Sequence, residues 1–205
     1  LDTAIGADMA SSQQEAAWAE ATHSDLLKSA RTLYRLSLER QKPDAQREAG
    51  YQERDLSFIK ARLTRLEQSF VPSVDQARWQ AGLNRYAKID QKNHPHGLDA
   101  LLPKMDAIPG MFKATELADT NKRLAWIGKD PEAFRSSHDP FIQLAVRLHD
   151  TGMALEDHRK EVDGNLERVI PQYMDAVIAW KKSQGKPVYP DANSTLRVTY
   201  GTDRK

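Results

Sequence analysis

The strongest constraint on the fold is a helical repeat in residues 139–183. Apolar residues recur there at alternating steps of four and three positions, and Arg159 is the only polar residue in the series. The series consists of Phe141, Ala145, Leu148, Gly152, Leu155, Arg159, Val162, Leu166, Val169, Tyr173, Ala176 and Trp180. This spacing places an apolar stripe along one face of a helix. A continuous helix would be about 65 Å long, which predicts an elongated bundle.

Both ends of this long helix carry recognisable signals. Asp139 followed by Pro140 is typical of an N-cap and the first helical position. Gly185 and Pro187 predict the C-terminal end, with Gly185 as the C′ residue and the proline just beyond it. Pro171 predicts a kink or the loss of one backbone hydrogen bond.

Shorter helices precede it. The first is predicted from Ser24, its N-cap, to the turn at Lys42-Pro43-Asp44. The second is predicted to pack antiparallel on the first, through a seam of Leu56, Ile59, Leu63, Leu66 and Phe70. These spacings indicate an all-α architecture.

A third helix opens at Pro72-Ser73, where Ser73 and Gln76 have capping-box spacing. Its predicted apolar stripe consists of Val74, Ala77, Ala81 and Tyr86. Residues 90–112 are predicted to be a loop with short helical turns, because prolines, glycines and asparagine interrupt them. A helix over about 114–127 and a short one starting at Asp130-Pro131 follow.

The segment 188–201 has a different pattern. Leu196, Val198 and Tyr200 alternate with polar residues, as expected of a half-buried β-strand. A single strand cannot satisfy its own backbone hydrogen-bonding groups. We therefore expect partner strands outside these 205 residues, a helical domain over residues 1–187, and the start of a β-barrel over residues 188–205.

Three stretches carry a family resemblance along nearly the whole chain. They are Leu33–Arg40 with the segments up to Asp55, Tyr173–Lys181, and Pro190–Arg197 with Thr199-Tyr200-Gly201. In this order they resemble the helical insert of the bacterial serine dipeptidyl peptidases of the dipeptidyl-peptidase seven and eleven type, and the point where the chain re-enters the second β-barrel.

The resemblance implies a function. In those enzymes the helical insert covers the chymotrypsin-like cleft and helps to restrict cleavage to N-terminal dipeptides, while both barrels supply the catalytic Ser, His and Asp. It also implies a periplasmic location, no cofactor, and peptide substrates and a catalytic barrel as partners. If the insert acts as a lid, the turn at Gly185 and Pro187 is expected to be its hinge. We expect this chain alone to be inactive.

The residues themselves offer no catalytic or metal site. Ser136, Ser137, His138 and Asp139 are adjacent, whereas a catalytic triad converges from separated positions, so a polar loop ending in a helix cap is favoured. His94 and His96 lack a third ligand with suitable spacing, and we expect an exposed loop. His149 and His158 lie among mixed charges, which indicates a solvated helix face.

Charge excludes some partners. The 30 basic and 29 acidic residues give a net charge of +1, so neither nucleic acid nor an anionic membrane surface is indicated. Arg35, Arg40, Glu48, Arg54 and Asp55 are expected to form an ion network that joins the first two helices. An alternative from a different class is a free-standing helical interaction module, and a homodimer through the unpaired strand is left open.

Overall fold

The computed structural model describes residues 2–186, which form nine α-helices joined by loops and short 3-10 turns, without a β-strand in this range. The helices are α1 (Asp2–Ala21), α2 (Asp25–Glu39), α3 (Leu56–Arg65), α4 (Pro72–Tyr86), α5 (Leu98–Leu101), α6 (Ile108–Ala114), α7 (Thr120–Leu124), α8 (Pro131–Arg135) and α9 (Pro140–Ser183). The all-α prediction is confirmed. The predicted strand and the boundary at residues 187 and 188 lie outside the described residues.

The fold is organised around α9, a helix of 44 residues that continues through Pro171. Both α1 and α2 pack along it, and α4 packs on α1. Trp18 near the end of α1 lies beside Gly152, whereas Asp8 near its start pairs with Arg159, so α1 runs antiparallel to α9. The hydrophobic core fills the space between these helices, and the aromatic residues Trp79, Phe134 and Phe141 are buried in it.

Arg159, the polar residue in the helical repeat of α9, has a structural role. Its guanidinium donates to the Asp8 carboxylate of α1 at 2.7 Å and also forms an ion pair with Asp163 one turn further along α9. Leu155 and Val162 on either side of it are buried. The repeat of α9 therefore contacts α1 at this position through an ion pair instead of an apolar contact.

The N-terminus of α2 carries a double cap. Ser24 accepts the backbone N–H of Leu27 at 3.2 Å, as predicted. The carboxylate of Asp75 from α4 accepts from the Ser24 hydroxyl and from the backbone N–H of Asp25, at 2.9 and 2.8 Å. Asp75 is 2% exposed, and its burial raises its pKa although the hydrogen bonds oppose that shift. This contact fixes α4 against the start of α2.

The expectations for α4 were wrong in two respects. The N-cap is Val71, with Pro72 in the first turn and no side-chain cap, so Ser73 and Gln76 form no capping box. Val74, Ala77 and Ala81 are exposed, and the buried face consists of Asp75, Trp79, Gly82, Leu83 and Tyr86. Trp79 determines this orientation because its indole N–H donates to the Ala21 carbonyl at 2.9 Å in the core.

Two further expectations need correction. The second predicted helix, α3, packs mainly on α7 rather than along α2. The predicted helix over 114–127 is instead the loop 115–119, the short helix α7 and a 3-10 turn over Ala125–Gly128. Thr115 ties this loop to the start of α9, because its hydroxyl donates to Asp139 at 2.7 Å.

Arg123 holds α3, α7 and this loop together. Its side chain is fully buried and donates to the Leu63 carbonyl at 3.1 and 2.9 Å, and to the Thr120 hydroxyl at 2.9 Å. It also donates to the carbonyl of Leu117 in the loop. Backbone oxygens thus satisfy a buried cation, which needs hydrogen-bonding partners in place of lost water.

Candidate functional site

The outer segment of α9, residues 170–183, differs from the rest of that helix. The last buried residue of α9 is Val162, and residues 170–176 are all exposed. The start of α1 reaches α9 near Val162 and Val169, where Thr3, Ala4 and Ala7 face it. The outer segment extends about 20 Å beyond this point.

Large apolar side chains lie on this segment in a helical pattern. Ile170, Tyr173, Met174 and Trp180 are 47%, 48%, 44% and 56% exposed. Steps of three and four residues place most of them on one side of the helix. A contiguous group of exposed apolar side chains is typical of a surface that contacts another protein element. We call this group the α9 stripe.

The C-terminal end of α9 is closed by a Schellman motif. Gly185 has a φ of 65°, in the left-handed region that favours glycine. Its N–H donates to the Lys182 carbonyl, and the Lys186 N–H donates to the Lys181 carbonyl, both at 3.0 Å. These two bonds define the motif, so the predicted C′ role of Gly185 is confirmed.

The hinge assignment stays a prediction. Gly185 lies at the point where the chain leaves α9, which is where a hinge would have to be. Pro187, its other expected residue, lies outside the described residues.

The side chain of Lys186 folds back over the α9 stripe, because its ammonium lies 5.5 Å from the Trp180 ring centroid.

Ser136, Ser137 and Asp139 have structural roles that fit the cap interpretation, and His138 is exposed. One Asp139 carboxylate oxygen accepts from the backbone N–H groups of Phe141 and Ile142 at the start of α9. The other oxygen accepts from Thr115 and from the Glu116 backbone N–H. The Ser136 hydroxyl donates to a helix carbonyl, and the Ser137 hydroxyl accepts from the Asp139 N–H.

His94 is more enclosed than the exposed-loop expectation implied. One ring nitrogen lies 3.1 Å from the Asp99 carboxylate and the other 3.2 Å from the Ile89 carbonyl. The ring stacks on Tyr86 with centroids 4.2 Å apart. His96 is exposed, as expected. Within residues 2–186, no group of His, Asp and Glu side chains is arranged to hold a metal ion.

His149 also departs from its expected place. It is half-buried, with its ring edge against Tyr34 at 5.2 Å between centroids, and burial lowers its pKa. His158 is exposed on the solvated face, as predicted. The two histidines therefore do not form a pair.

The ion network exists, but it joins different elements. Arg35 on α2 binds the Glu156 carboxylate of α9 with both terminal guanidinium nitrogens, one of them at 2.9 Å. Lys160 bridges Glu156 and Glu48, at 2.9 Å from each. Arg35 and Lys160 together lower the pKa of Glu156 to about 2, with the Arg35 hydrogen bonds as the largest cause. The network thus ties α2 and the loop after it to α9.

The other expected members of that network lie elsewhere. Arg40 donates to the Ile127 carbonyl at 2.9 Å. Arg54 lies 4.0 Å from Asp55, its neighbour in sequence, and its side chain is 78% exposed. Sequence reasoning missed Glu156 and Lys160 because no local pattern links them to Arg35.

None of the helices over residues 2–186 combines the length and the apolar character needed to cross a membrane.

Comparisons with known proteins give a consistent result. The model of the peptidase S46 family matches residues 1–204. The Asp/Glu-specific dipeptidyl-peptidase of Shewanella putrefaciens (strain CN-32 / ATCC BAA-453) is 46% identical over 188 residues, which are 88% of this chain and 25% of that protein. The chain thus spans about a quarter of the length of this curated relative.

Proposed function

This chain belongs to the peptidase S46 family, and from that premise we propose that it is the helical domain of a serine-type dipeptidyl aminopeptidase. The match with the relative covers most of this chain and a quarter of that enzyme, as expected of one domain within a larger peptidase. The all-helical architecture agrees with the role of an insert rather than of a catalytic barrel.

The proposed role is to cover and gate the active-site cleft, so that only N-terminal dipeptides are released. The observation that carries this proposal is the α9 stripe. Tyr173, Met174 and Trp180 are about half exposed on a helix segment that extends beyond the other described helices. Because about half of each side chain is already covered, burying the exposed half against a catalytic barrel would contribute roughly 1 kcal/mol for each large apolar group.

The chemistry in this proposal lies outside the chain. A serine nucleophile, a histidine and an aspartate would come from the barrels, without a cofactor, and the location would be periplasmic. Cleavage after acidic residues is the first substrate class to test, because the relative is an Asp/Glu-specific enzyme. The chain by itself is expected to give only background turnover of a fluorogenic dipeptidyl substrate.

The test uses the full-length peptidase with Tyr173→Ser and Met174→Ser in the α9 stripe. We expect kcat/KM for an acidic dipeptidyl substrate to fall by about tenfold, because each lost apolar contact weakens the closed arrangement. The matched control is Phe58→Ser, whose side chain is 73% exposed and lies on α3 rather than on α9.

Two results would count against the proposal. Unchanged kinetics in the folded stripe variants would remove the gating role. Stable binding of an unrelated protein by the isolated chain, with no effect of the stripe on catalysis, would favour the alternative of a free-standing helical interaction module.

A further inference from the structure

A cleft of about 500 Å³ lies between α1, α2 and α9. Trp18, Leu148 and Met153 contribute apolar surface, and the exposed residues His23 and Lys28 lie at its mouth. Small-molecule sites commonly have this size and this mixture of apolar walls and a few polar groups.

Arg31 is the central polar group of the cleft. Its guanidinium carbon lies 4.5 Å from the Trp18 ring centroid, and its Nη1 donates to the Thr22 hydroxyl at 3.3 Å. Within the described part of the chain, no carboxylate lies within ion-pair distance of it. Its enclosure among neighbouring side chains lowers its pKa to about 10. A guanidinium has several N–H donors, and the contact with Thr22 uses one of them.

Arg35 carries a buried donor without a partner among the described residues. Its terminal nitrogens bind Glu156 and its guanidinium carbon lies 4.9 Å from the Tyr51 ring centroid. Its Nε is buried and has no hydrogen-bond partner in the structure of residues 2–186. A buried donor without a partner is costly in free energy, and both arginines line the same cleft.

The charge of the cleft favours an anion. Lys28, Arg31 and Arg35 line it together with the carboxylates of Asp25 and Glu156. Both carboxylates have other cationic partners, because Asp25 pairs with Arg78 at 2.8 Å and Glu156 with Lys160 at 2.9 Å. Arg31 and Lys28 therefore present positive charge that these carboxylates do not neutralise.

We propose that this cleft binds a small organic carboxylate of the class of an acidic dipeptide, with Arg31 contacting the carboxylate and the Trp18 wall contacting the body of the ligand. An Arg–carboxylate contact can use two parallel N–H donors. The apolar wall distinguishes an organic anion from free phosphate, which has no apolar part. The choice of a dipeptide rests on the proposed function, since a dipeptidyl peptidase releases dipeptides.

The test is isothermal titration calorimetry of the 205-residue chain with the dipeptide Glu-Glu, and with inorganic phosphate at matched ionic strength. We expect Glu-Glu to bind more tightly than phosphate. Arg31→Gln should weaken Glu-Glu binding by about tenfold or more, because it removes the charge-assisted hydrogen bonds. Arg54→Gln is the matched control, because it removes an equal charge from an exposed side chain. It should change the affinity for Glu-Glu by less than about twofold.

Circular dichroism establishes that each variant is folded, and Lys28→Gln at the exposed mouth provides a second variant if Arg31→Gln is unstable. The proposal is overturned if the folded wild-type chain does not bind Glu-Glu, if phosphate binds more tightly, or if both cleft variants bind like wild type. This assay needs no catalytic domain, so its failure is distinct from a failure of the gating proposal, which is measured by kinetics of the full-length enzyme.

Discussion

Arg35 and Glu156 are 121 residues apart in the sequence, yet their side chains form a two-pronged ion pair that ties α2 to α9. The pair is half-buried, and Lys160 binds the same carboxylate. Partial burial and bidentate geometry make such a pair stronger than an ordinary surface ion pair. Its effect on Glu156 gives the folded state a dependence on pH.

The free energy of unfolding should fall as the pH is lowered from 4.5 towards 2. The pKa of Glu156 is depressed from 4.5 to about 2 in the folded state, so the unfolded state takes up a proton first. The stabilisation is present above pH 4.5 and is lost as the pH falls through that window. After allowance for solvent screening we expect about 1–2 kcal/mol, measured by urea unfolding at several pH values.

Glu156→Gln assigns this effect to one residue. It should destabilise the protein at pH 7 and flatten the pH dependence between 4.5 and 2. Glu116→Gln is the matched control, because Glu116 forms an ion pair with Lys122 on the exposed surface. If both variants retain the wild-type pH profile, Glu156 does not have the assigned pKa.

Gly82 is predicted to be irreplaceable at the contact between α4 and α1. A Cβ atom there would collide with the backbone carbonyl oxygen of Glu20, and would lie 3.0 Å from the His23 Cβ. Gly82→Ala should destabilise by about 1–3 kcal/mol, because the helices would have to separate. Gly164 in α9 has open space around it, so Gly164→Ala should stabilise by up to about 1 kcal/mol. Thermal unfolding of the two variants compares them, and equal effects would contradict the close approach of α1 and α4.

Arg123→Met should destabilise the domain by about 3 kcal/mol or more. The substitution leaves the buried carbonyls of Leu63 and Leu117 without their donors. Arg123→Lys should give little rescue, since an ammonium cannot reach the same set of oxygens. Urea unfolding measures both, with Arg54→Met as an exposed control expected within about 0.5 kcal/mol of wild type. Full rescue by lysine would show that the charge alone is needed.

The sequence predicted those features that depend on local chemistry. Ser24, Asp139 and Gly185 were placed correctly because capping depends on a few adjacent residues. The long helix α9 followed from its repeat, and Ile59 and Leu63 in α3 are buried as expected.

The remaining features depend on contacts between distant residues. Glu156 and Lys160 cannot be linked to Arg35 by spacing, and the cleft around Arg31 exists only because α1, α2 and α9 meet. The buried hydrogen bond of Trp79 to the Ala21 carbonyl determines which face of α4 is buried, and the weak apolar pattern of α4 did not indicate that face. The loop 115–119 replaces a helix there because Asp139 accepts from Thr115 and Glu116 while Arg123 donates to the Leu117 carbonyl.

The hinge prediction is tested by Gly185→Val in the full-length peptidase. A β-branched residue at a φ of 65° is strained, by about 1–2 kcal/mol. We expect slower dipeptide release and an altered KM, with near-normal labelling of the proposed catalytic serine by a small acylating reagent. A loss of thermal stability as large as that of the core variant Leu63→Ala would indicate unfolding instead. Unchanged kinetics in a folded variant would make the bundle a static wall.

The most direct test of the account is hydrogen exchange of the full-length peptidase, with and without a dipeptide phosphonate bound to its proposed catalytic serine. If this domain closes over the cleft, amides in residues 170–183 of α9 should exchange more slowly in the full-length protein than in the isolated chain, and more slowly again with the inhibitor bound. Equal exchange of this segment in all three samples, with protection confined to the rest of the enzyme, would contradict the proposal that the helical domain covers the active site.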